Sequence, residues 1–165
     1  MRIVTDSAAD LTLEEIKAWG IQVIPLSIQF PEGEVLASAI SADDFYDRLK
    51  RMAPNAPSTS QPSPATFLDV YASESYSDKD ILSIHISSGL SGTYNVAKLA
   101  AGQSSQNVTV VDTFTLSPAQ RFQVLAAAMA LKAGWSTPKI TERLEQIRRA
   151  SEAIFTLETL DYLAR

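Results

Sequence analysis

One stretch, residues 80–101, constrains the fold of this chain more than any other part of the sequence. It reads DILSIHISSGLSGTYNVAKLAA and opens, over residues 81–86, with a short apolar run that is typical of a buried strand. Helix formers at helical spacing follow from about Ser91. A turn rich in serine and glycine, residues 87–93, lies between the two. The stretch therefore predicts a buried strand that leads directly into a helix.

The turn between this strand and this helix is a candidate anion site. The free backbone N–H groups of a first helical turn, and the positive end of the helix dipole, face any ligand placed there. Gly89 and Gly92 let the backbone approach a ligand closely, and the neighbouring hydroxyls add donors. The turn is not a Walker A loop, because no Gly-Lys-Ser/Thr follows, and it lacks the third glycine of a dinucleotide fingerprint. Ordinary loop chemistry, with Ser91 as a helix N-cap, is the alternative that the spacing leaves open.

Alternating strands and helices predict an α/β protein in three layers, with a mostly parallel sheet covered on both faces. The predicted strands are residues 2–5, 21–29, 81–86, 107–112 and 153–157, with a loop or hairpin over residues 30–40. The predicted helices run from Asp10 or Thr12 to Trp19, from Ser41, from Pro64 to about Ser73, from about Ser91, from Pro118 to about Ala133, from Thr137 to about Ala150, and from Glu158. Pro25 removes a ladder donor from the second strand and favours an edge position or a bulge there.

Three predicted loops meet beyond the carboxyl ends of the strands, where parallel sheets bind their ligands. These are residues 87–93, Asp6-Ser7 and Asp112-Thr113, and each loop carries hydroxyls but no basic residue. Asp6 and Asp112 would be the pair for catalysis by two carboxylates, although carboxylates at strand ends more often cap loops and helices. This edge of the sheet is therefore the predicted site.

Residues 53–64, APNAPSTSQPSP, are predicted to form a stiff loop. The prolines of this loop limit its conformations and push the residues before them toward extended geometry. Such a loop would present Thr59, Ser60 and Gln61 for binding. A linker is the alternative interpretation of the same composition.

Charge and composition exclude several classes of protein. The net charge of -5, with no cluster of lysine and arginine, argues against a non-specific nucleic-acid binder. The lack of cysteine excludes disulfides and thiolate metal sites, and a single histidine, His85, excludes a multi-histidine metal site within one chain. No apolar run approaches the length of a membrane span. Without a signal peptide, we expect a cytoplasmic protein.

Four segments, in this order, resemble the DegV family of fatty-acid-binding proteins: VTDSAADL, STSQPSP, SIHISSGLSGTYN and VTVVD. The likeness covers all 165 residues, since the final LETLDYLAR is similar to the family's segment that leads into a Gly-Gly-Arg motif. The resemblance implies a single α/β domain over residues 1–165 that matches the family's N-terminal domain. The C-terminal domain, which in the family closes the lipid tunnel and adds an arginine and a histidine near the carboxylate, is expected to be absent.

The resemblance implies a binding protein and not an enzyme, with one long-chain fatty acid whose acyl chain lies in an apolar tunnel. The residues that match the family's carboxylate site are Thr59 and Ser91 as ligands, with Ser60, Ser88, Gly89 and Gly92 as close neighbours. No metal, further cofactor or catalytic residue is implied. The implied partner is the catalytic subunit of a fatty acid kinase, which phosphorylates the bound carboxylate in phospholipid metabolism. An apolar face left by the missing domain would favour self-association into a homo-oligomer.

The loop after Asp112 departs from the family's pattern. Family members resemble Ser-Lys-Ser followed by small residues and glycines, whereas residues 113–118 of this chain read TFTLSP. We expect the bulky Phe114 to alter the chain-length preference or to fill part of the pocket.

Two alternatives to lipid binding stay open. A serine hydrolase would use Ser87, Ser88 or Ser91 as its nucleophile, with His85 as the single histidine that could act as base. The G-x-S-x-G elbow is absent, however, and we expect His85 to be a packed or hydrogen-bonded strand residue. The second alternative is a truncated regulatory module that keeps the fold and no longer binds lipid.

Overall fold

The order of strands and helices is given by a computed structural model, which describes residues 1–53, 55–73, 80–154 and 156. The strands are β1 (Arg2–Asp6), β2 (Gln22–Ile24), β3 (Ser27–Phe30), β4 (Gly33–Leu36), β5 (Ser58–Ser60), β6 (Asp80–His85) and β7 (Asn107–Asp112). The helices are α1 (Leu13–Trp19), α2 (Ala42–Met52), α3 (Pro64–Tyr71), α4 (Thr93–Gln103), α5 (Ser117–Lys132) and α6 (Thr137–Ala150). Short 3-10 turns cover Ser7–Ala9 and Ala37–Ala39.

Four strands form a parallel sheet in the order β2-β1-β6-β7, which confirms the predicted parallel core. β6 lies between β1 and β7, with Leu82 beside Ile3 and Ile84 beside Val111. Its residues from Ile81 onward are buried, as the continuous apolar pattern of a central strand requires. The turn after β6 therefore begins in the middle of the sheet's carboxyl edge.

Helices cover both faces of this sheet, so the three-layer α/β/α prediction is confirmed. Successive side chains of a strand point to opposite faces, and the two buried clusters follow that alternation. One cluster joins Ile3, Leu82 and Ile84 of the sheet to Val124, Ala127 and Ala128 of α5 and Ile140 and Leu144 of α6. The other joins Val4, Ile24 and Ile81 to Phe67 and Tyr71 of α3 and Ala97 and Ala100 of α4.

The prediction of one strand over residues 21–29 is wrong, because the chain leaves the parallel sheet at Pro25. β2 ends at Ile24, and β3 begins at Ser27 in a different sheet. Pro25 has no N–H for a ladder, and the N–H of Leu26 donates to the Ser7 hydroxyl at 3.0 Å instead of to a strand. The proline thus separates two strands instead of marking a bulge within one.

The second sheet is antiparallel, with the order β4-β3-β5. The hairpin of β3 and β4 confirms the turn predicted within residues 30–40. The prediction of loop structure at Thr59 and Ser60 is wrong, because β5 pairs with β3 along Ser58–Ser60 and places Thr59 opposite Ile28. A strand of three polar residues has no hydrophobic alternation, so β5 cannot be predicted from its sequence.

The helix starts agree with their capping signals. Thr12 forms a full capping box with Glu15, and the Ser41 and Ser63 hydroxyls accept from the N–H groups of Asp44 and Thr66. The predicted strand over residues 153–157 is not formed at Ala153 or Ile154. Residues 155 and 157–165, and with them the predicted helix from residue 158, lie outside the described residues. Within the described ranges, no helix combines the length and apolarity needed to cross a bilayer.

Candidate functional site

The loops after β6 and β7 are joined into one unit at the carboxyl edge of the parallel sheet. The N–H of Ser87 donates to the carbonyl of Thr115 at 2.9 Å, and the N–H of Thr113 donates to the carbonyl of His85 at 3.0 Å. Asp112 adds a carboxylate bridge, because its Oδ1 accepts from the N–H of Ser88 at 3.2 Å and of Phe114 at 2.9 Å. The loops after β6 and β7 thus meet at this edge, as the sequence predicts. Asp112 caps both loops through its side chain.

The turn itself is closed by its own serine residues. The Ser87 carbonyl accepts from the N–H groups of Leu90 and Ser91, both at 3.0 Å, and the Ser87 hydroxyl accepts from Gly89 at 3.2 Å. Ser91 Oγ accepts from the N–H of Thr93 at 3.2 Å and lies 2.8 Å from the buried Thr93 hydroxyl. When Thr93 donates in that second contact, the hydrogen of the Ser91 hydroxyl is available to a ligand.

The first turn of α4 keeps three backbone donors that the described part of the chain leaves unused. The N–H groups of Gly92, Tyr94 and Asn95 have no acceptor among the described residues. This is the usual condition of a helix N-terminus, where the positive end of the dipole adds to the same field. Together with the Ser91 hydroxyl, these groups form a compact set of donors for an anion.

The segment after β5 touches this turn directly. A Cβ atom built on Gly92 would lie 2.0 Å from Oε1 of Gln61 and 2.7 Å from its Cδ, so the glutamine side chain occupies the space that any larger residue would need. The backbone of Gly92 has a φ of -69° and does not itself require glycine. Its small size, and not its conformational freedom, is what the contact uses. Gly89 differs, since a Cβ there would only make ordinary contact at 3.5 Å with Ser87 Oγ.

Thr59 and Ser60 belong to opposite faces of β5, because successive residues of a strand alternate. The Ser60 hydroxyl accepts from Gln29 Nε2 at 3.1 Å and donates to Glu34 Oε1 at 3.3 Å, beside a polar cavity of about 750 Å³. Hydrogen bonds from Ser27, Gln29 and Ser60 lower the pKa of the Glu34 carboxyl and keep it ionised. Ser60 thus faces a negative charge, whereas the exposed Thr59 does not share that network.

His85 confirms the prediction of a hydrogen-bonded strand residue. Its Nδ1 lies 2.9 Å from Asp6 Oδ2, its Nε2 lies 2.6 Å from Ser83 Oγ, and Ser83 in turn lies 2.9 Å from the Tyr71 hydroxyl. All four side chains are buried, and burial raises the pKa of Tyr71 to about 12 although the Ser83 hydrogen bond opposes it. The serine that contacts His85 is Ser83, a residue that the hydrolase alternative did not name.

This buried chain of side chains has the order of a Ser-His-Asp triad, but its serine does not meet solvent. The two ring nitrogens of His85 are occupied by Asp6 and Ser83, so neither contacts Ser87, Ser88 or Ser91. A nucleophilic serine needs its base within hydrogen-bond reach. The geometry therefore removes the support for the hydrolase alternative. The contact between Ser83 and His85 could have been predicted from the sequence. Ser83 is a polar residue in an otherwise apolar strand, and it lies two positions before His85, on the same face of the strand.

Asp6 is the most heavily hydrogen-bonded carboxylate of the site. Its Oδ1 accepts from the N–H of Ala8 at 3.0 Å and from Gln120 Nε2 at 3.1 Å. Its Oδ2 accepts from the N–H of Ile86 at 3.0 Å and from His85. Burial alone would raise the pKa of Asp6, but the hydrogen bond and charge of His85, with those from Ile86 and Gln120, bring it below its ordinary value. Asp6 and Asp112 do not form a catalytic pair, because β6 lies between their strands.

An apolar groove begins beside the turn. Leu90 and Phe114, both largely exposed, line a cavity of about 370 Å³. Through Leu116 and Ala153 this cavity adjoins a second one of about 720 Å³, whose apolar lining includes Pro118, Phe122 and Ile154. Arg148 of α6 also lines the first cavity, so a basic side chain lies near loops that contain none. No local pattern in the sequence could place it there.

Comparison with known proteins gives a consistent result over the whole chain. The family model described as "Uncharacterised protein, DegV family" matches residues 1–165. A DegV domain-containing protein of Deinococcus radiodurans is 42% identical over 163 residues, which cover 98% of this chain and 57% of that protein. The chain thus spans little more than half the length of this relative.

Solved structures of DegV proteins share the fold. A fatty-acid-binding DegV family protein from Thermus thermophilus superposes with a TM-score of 0.83 at 36% identity, over 90% of this chain and 54% of that chain. DegV from Bacillus subtilis, a fatty acid binding protein, gives a TM-score of 0.83 at 32% identity, over 90% and 53% of the two chains.

Proposed function

This chain belongs to the DegV family, and we propose that it binds a long-chain fatty acid whose carboxylate lies at the first turn of α4. The observation that carries the proposal is a set of donors there that no described residue uses, the N–H groups of Gly92, Tyr94 and Asn95, together with the Ser91 hydroxyl. Two similar solved proteins are described as binding fatty acids. A fatty acid carries a carboxylate, and a carboxylate is the kind of acceptor that these N–H and hydroxyl donors suit.

The donor set suits a carboxylate better than a neutral group. A hydrogen bond to a charged acceptor contributes about 1.5–3 kcal/mol, roughly twice the contribution of a neutral one. The positive end of the α4 dipole adds about 0.3–1 kcal/mol for a negative charge. Two or three such bonds orient the carboxylate, so the helix terminus decides which end of the lipid lies at the turn.

The six residues that match the family's site have distinct roles in the proposal. Ser91 donates from the turn, and Thr59 provides a second hydroxyl from β5. Gly92 allows the segment after β5 to approach the turn through Gln61. The remaining three are neighbours that shape the turn and β5 without being assigned a bond to the ligand: Ser60, Ser88 and Gly89.

The acyl chain is proposed to follow the apolar groove that begins at Leu90. The groove passes Phe114 and Leu116 and continues toward Phe122 and Ile154. Each methylene group removed from water contributes about 0.8 kcal/mol. Over a long acyl chain this exceeds the contribution of the carboxylate bonds, so the groove supplies most of the affinity and the turn supplies the orientation.

We further propose that the bound carboxylate is presented to a separate fatty acid kinase, as the family resemblance implies, with this protein acting as a carrier in the cytoplasm. Thr59 is exposed and Ser91 is half-buried, so the proposed carboxylate position is open to a second protein. The exposed side chains of Leu90, Phe114 and Phe122 support the accompanying proposal that the chain self-associates.

The test compares palmitate with its methyl ester, which keeps the acyl chain and removes the charge. Palmitate should bind, and the ester should bind at least about tenfold more weakly, because it loses the charge-assisted bonds. Ser91→Ala and Thr59→Ala should each weaken palmitate binding by about tenfold or more. Ser105→Ala, an exposed serine beyond the far end of α4, is the matched control and should leave the affinity unchanged. Equal affinity for palmitate and its ester would overturn the carboxylate site.

A further inference from the structure

A polar cavity of about 750 Å³ opens between the second sheet and the start of α3. Its polar lining, which defines what we call the Glu34 cavity, includes Ser27, Gln29, Glu34 and Ser60 of the sheet and Gln61 and Thr66 beyond it. Among the described residues that line the cavity, Glu34 alone carries a charge, and every other polar side chain there is a hydroxyl or an amide. The cavity is therefore a negatively charged space rich in hydrogen-bond acceptors.

The pairing of the second sheet brings these side chains to one face. Gln29 lies opposite Glu34 in the β3–β4 pair, and Ser27 lies opposite Ser60 in the β3–β5 pair. Opposite residues of an antiparallel pair share a face, as do residues two apart along a strand. All four polar side chains consequently point to the same side of the sheet, and the other side carries the apolar Ile28.

The Glu34 carboxylate is held in place by its neighbours on this face. Gln29 Nε2 donates to Ser60 Oγ at 3.1 Å, and Ser60 Oγ donates to Glu34 Oε1 at 3.3 Å. Hydrogen bonds from Ser27, Gln29 and Ser60 lower the pKa of the Glu34 carboxyl, so it is ionised at neutral pH. The charge is thus positioned before any ligand arrives, which reduces the cost of binding one.

The part of the chain that the structure describes supplies no cation to neutralise Glu34. Arg48 is the basic residue closest to it in sequence, and its guanidinium pairs with Glu32 at 3.3 Å instead. The segments that surround the cavity, residues 25–36 and 55–73, contain acidic residues but no lysine or arginine. The local potential is therefore negative and favours a cationic group supplied from outside.

The Glu34 cavity adjoins the proposed lipid site through the chain that follows β5. Ser60 and Gln61 line the cavity and come directly after Thr59, the proposed second hydroxyl for the lipid carboxylate. The Gln61 side chain also lies against the turn at Gly92, and its amide forms no hydrogen bond with any described residue. A group bound in the cavity would thus lie beside the segment that presents the carboxylate.

We propose that the Glu34 cavity receives an arginine side chain of the protein to which the lipid carboxylate is presented. The inference rests on the proposed function for its choice of partner. A guanidinium is planar and carries five N–H donors, so it can bond a carboxylate and several hydroxyl and amide oxygens together. It is also more weakly hydrated than an ammonium group, which favours arginine over lysine in a polar cavity. The docked arginine holds the partner's surface beside β5.

The experiment titrates the protein with three peptides of the form acetyl-Gly-X-Gly-amide, in which X is arginine, citrulline or lysine. Shifts of the backbone amide NMR signals give the dissociation constants and locate the binding site. The arginine peptide should shift the signals of Ser27, Gln29 and Ser60. It should bind about fivefold more tightly than the citrulline peptide, which has a similar shape without the charge, because an exposed ion pair contributes up to about 1 kcal/mol. Equal affinity for these two peptides would overturn the proposal, and equal affinity for the lysine peptide would overturn the assignment to arginine.

Two neighbouring carboxylates of the hairpin provide the matched variants. Glu34→Gln should weaken binding of the arginine peptide by about fivefold, because the amide keeps the size of the side chain and loses its charge. Glu32→Gln makes the same change two residues earlier, in a side chain that pairs with Arg48 and does not line the cavity, and should leave the affinity unchanged. Equal losses in the two variants would overturn the role of Glu34.

Two further measurements identify the occupant and separate this inference from the proposed function. Propylguanidinium is the arginine side chain without a peptide, and its binding in the absence of peptide binding would overturn docking of a protein. Palmitate binding by the wild type is measured in parallel. A protein that binds palmitate but not the arginine peptide overturns the docking site alone. A protein that binds the arginine peptide but not palmitate supports the cavity as an arginine site and overturns the proposed function, and with it the choice of partner.

Discussion

At the scale of single residues, Asp6 holds the end of the central strand in place. It is buried, it bonds His85, and it accepts the N–H of Ile86 immediately before the turn that carries the proposed site. A buried carboxylate is tolerated only when its hydrogen-bonding capacity is satisfied, and here four donors face it. The stability of the fold and the placement of the turn therefore depend on the same charge.

Asp6→Asn should lower the free energy of unfolding by about 1–3 kcal/mol, because an amide nitrogen in place of one carboxylate oxygen leaves buried donors without an acceptor. The pKa of Asp6 is lower in the folded state than the ordinary value of 3.8. The stabilisation by this carboxylate is therefore complete above that ordinary value and is lost as the pH falls through the lowered folded-state pKa. Urea unfolding of the wild type and the variant, at a series of pH values from neutral to acid, measures both effects.

Asp10→Asn is the control for that series. Asp10 is exposed and has a φ of +50°, a conformation that asparagine tolerates well. It should unfold with the free energy and the pH dependence of the wild type. If Asp6→Asn kept the acid sensitivity of the wild type, the buried carboxylate would not be its source.

The sequence predicts those residues of the site whose roles are local. Ser91 and Gly92 follow from the strand-turn-helix pattern, since a helix N-terminus exposes its donors wherever it occurs. Arg148 could not be predicted, because it reaches Phe114 from a helix more than thirty residues further along the chain. Contacts of this kind depend on how helices cross the sheet, which no short pattern encodes.

At the scale of elements, helices and parallel strands were predictable and the second sheet was not. Caps at Thr12, Ser41 and Ser63 mark three helix starts, and a short apolar run marks β6. β5 has no such mark: it is short, polar and rich in hydroxyls, and only its pairing with β3 makes it a strand. The family resemblance drew attention to this segment, but only the tertiary contact with β3 makes it a strand.

The contact between the β5 segment and α4 makes a prediction for Gly92. Gly92→Ala should displace the Gln61 side chain, because the new Cβ would overlap its amide. Gln61 is exposed and its amide is the far end of a flexible side chain, so it can move aside with little loss of stability. The lost contact between the β5 segment and the turn should instead weaken palmitate binding, by up to about tenfold. Thermal unfolding and palmitate titration measure the two effects.

Gly89→Ala provides the comparison within the same turn. Its added Cβ would make only ordinary contact with Ser87 Oγ, and its φ is not in the left-handed region. The variant should unfold and bind palmitate much as the wild type does. Equal losses in the two glycine variants would show that the turn tolerates no side chain anywhere, and would remove the specific role of Gln61.

At the scale of the whole molecule, the fold brings donors and apolar surface to one edge. The central position of β6 in the sheet places the turn at the middle of the carboxyl edge, with α4 beginning there. The loop after β7 and helix α6 then extend the site with Phe114, Leu116 and Arg148. This arrangement can hold a charged group and a long apolar tail in one molecule. A site for a fatty acid has to do both.

The most direct test of the proposed function is native and denaturing mass spectrometry of the purified protein, with a Thr59→Ala/Ser91→Ala double variant alongside. The native spectrum shows whether a ligand is bound, and the denaturing one identifies the mass released. We predict that the wild type carries a non-covalent mass equal to that of a long-chain fatty acid, and that the double variant has lost it. A wild-type protein that carries no such mass, and gains none when palmitate or oleate is added, would contradict the proposal.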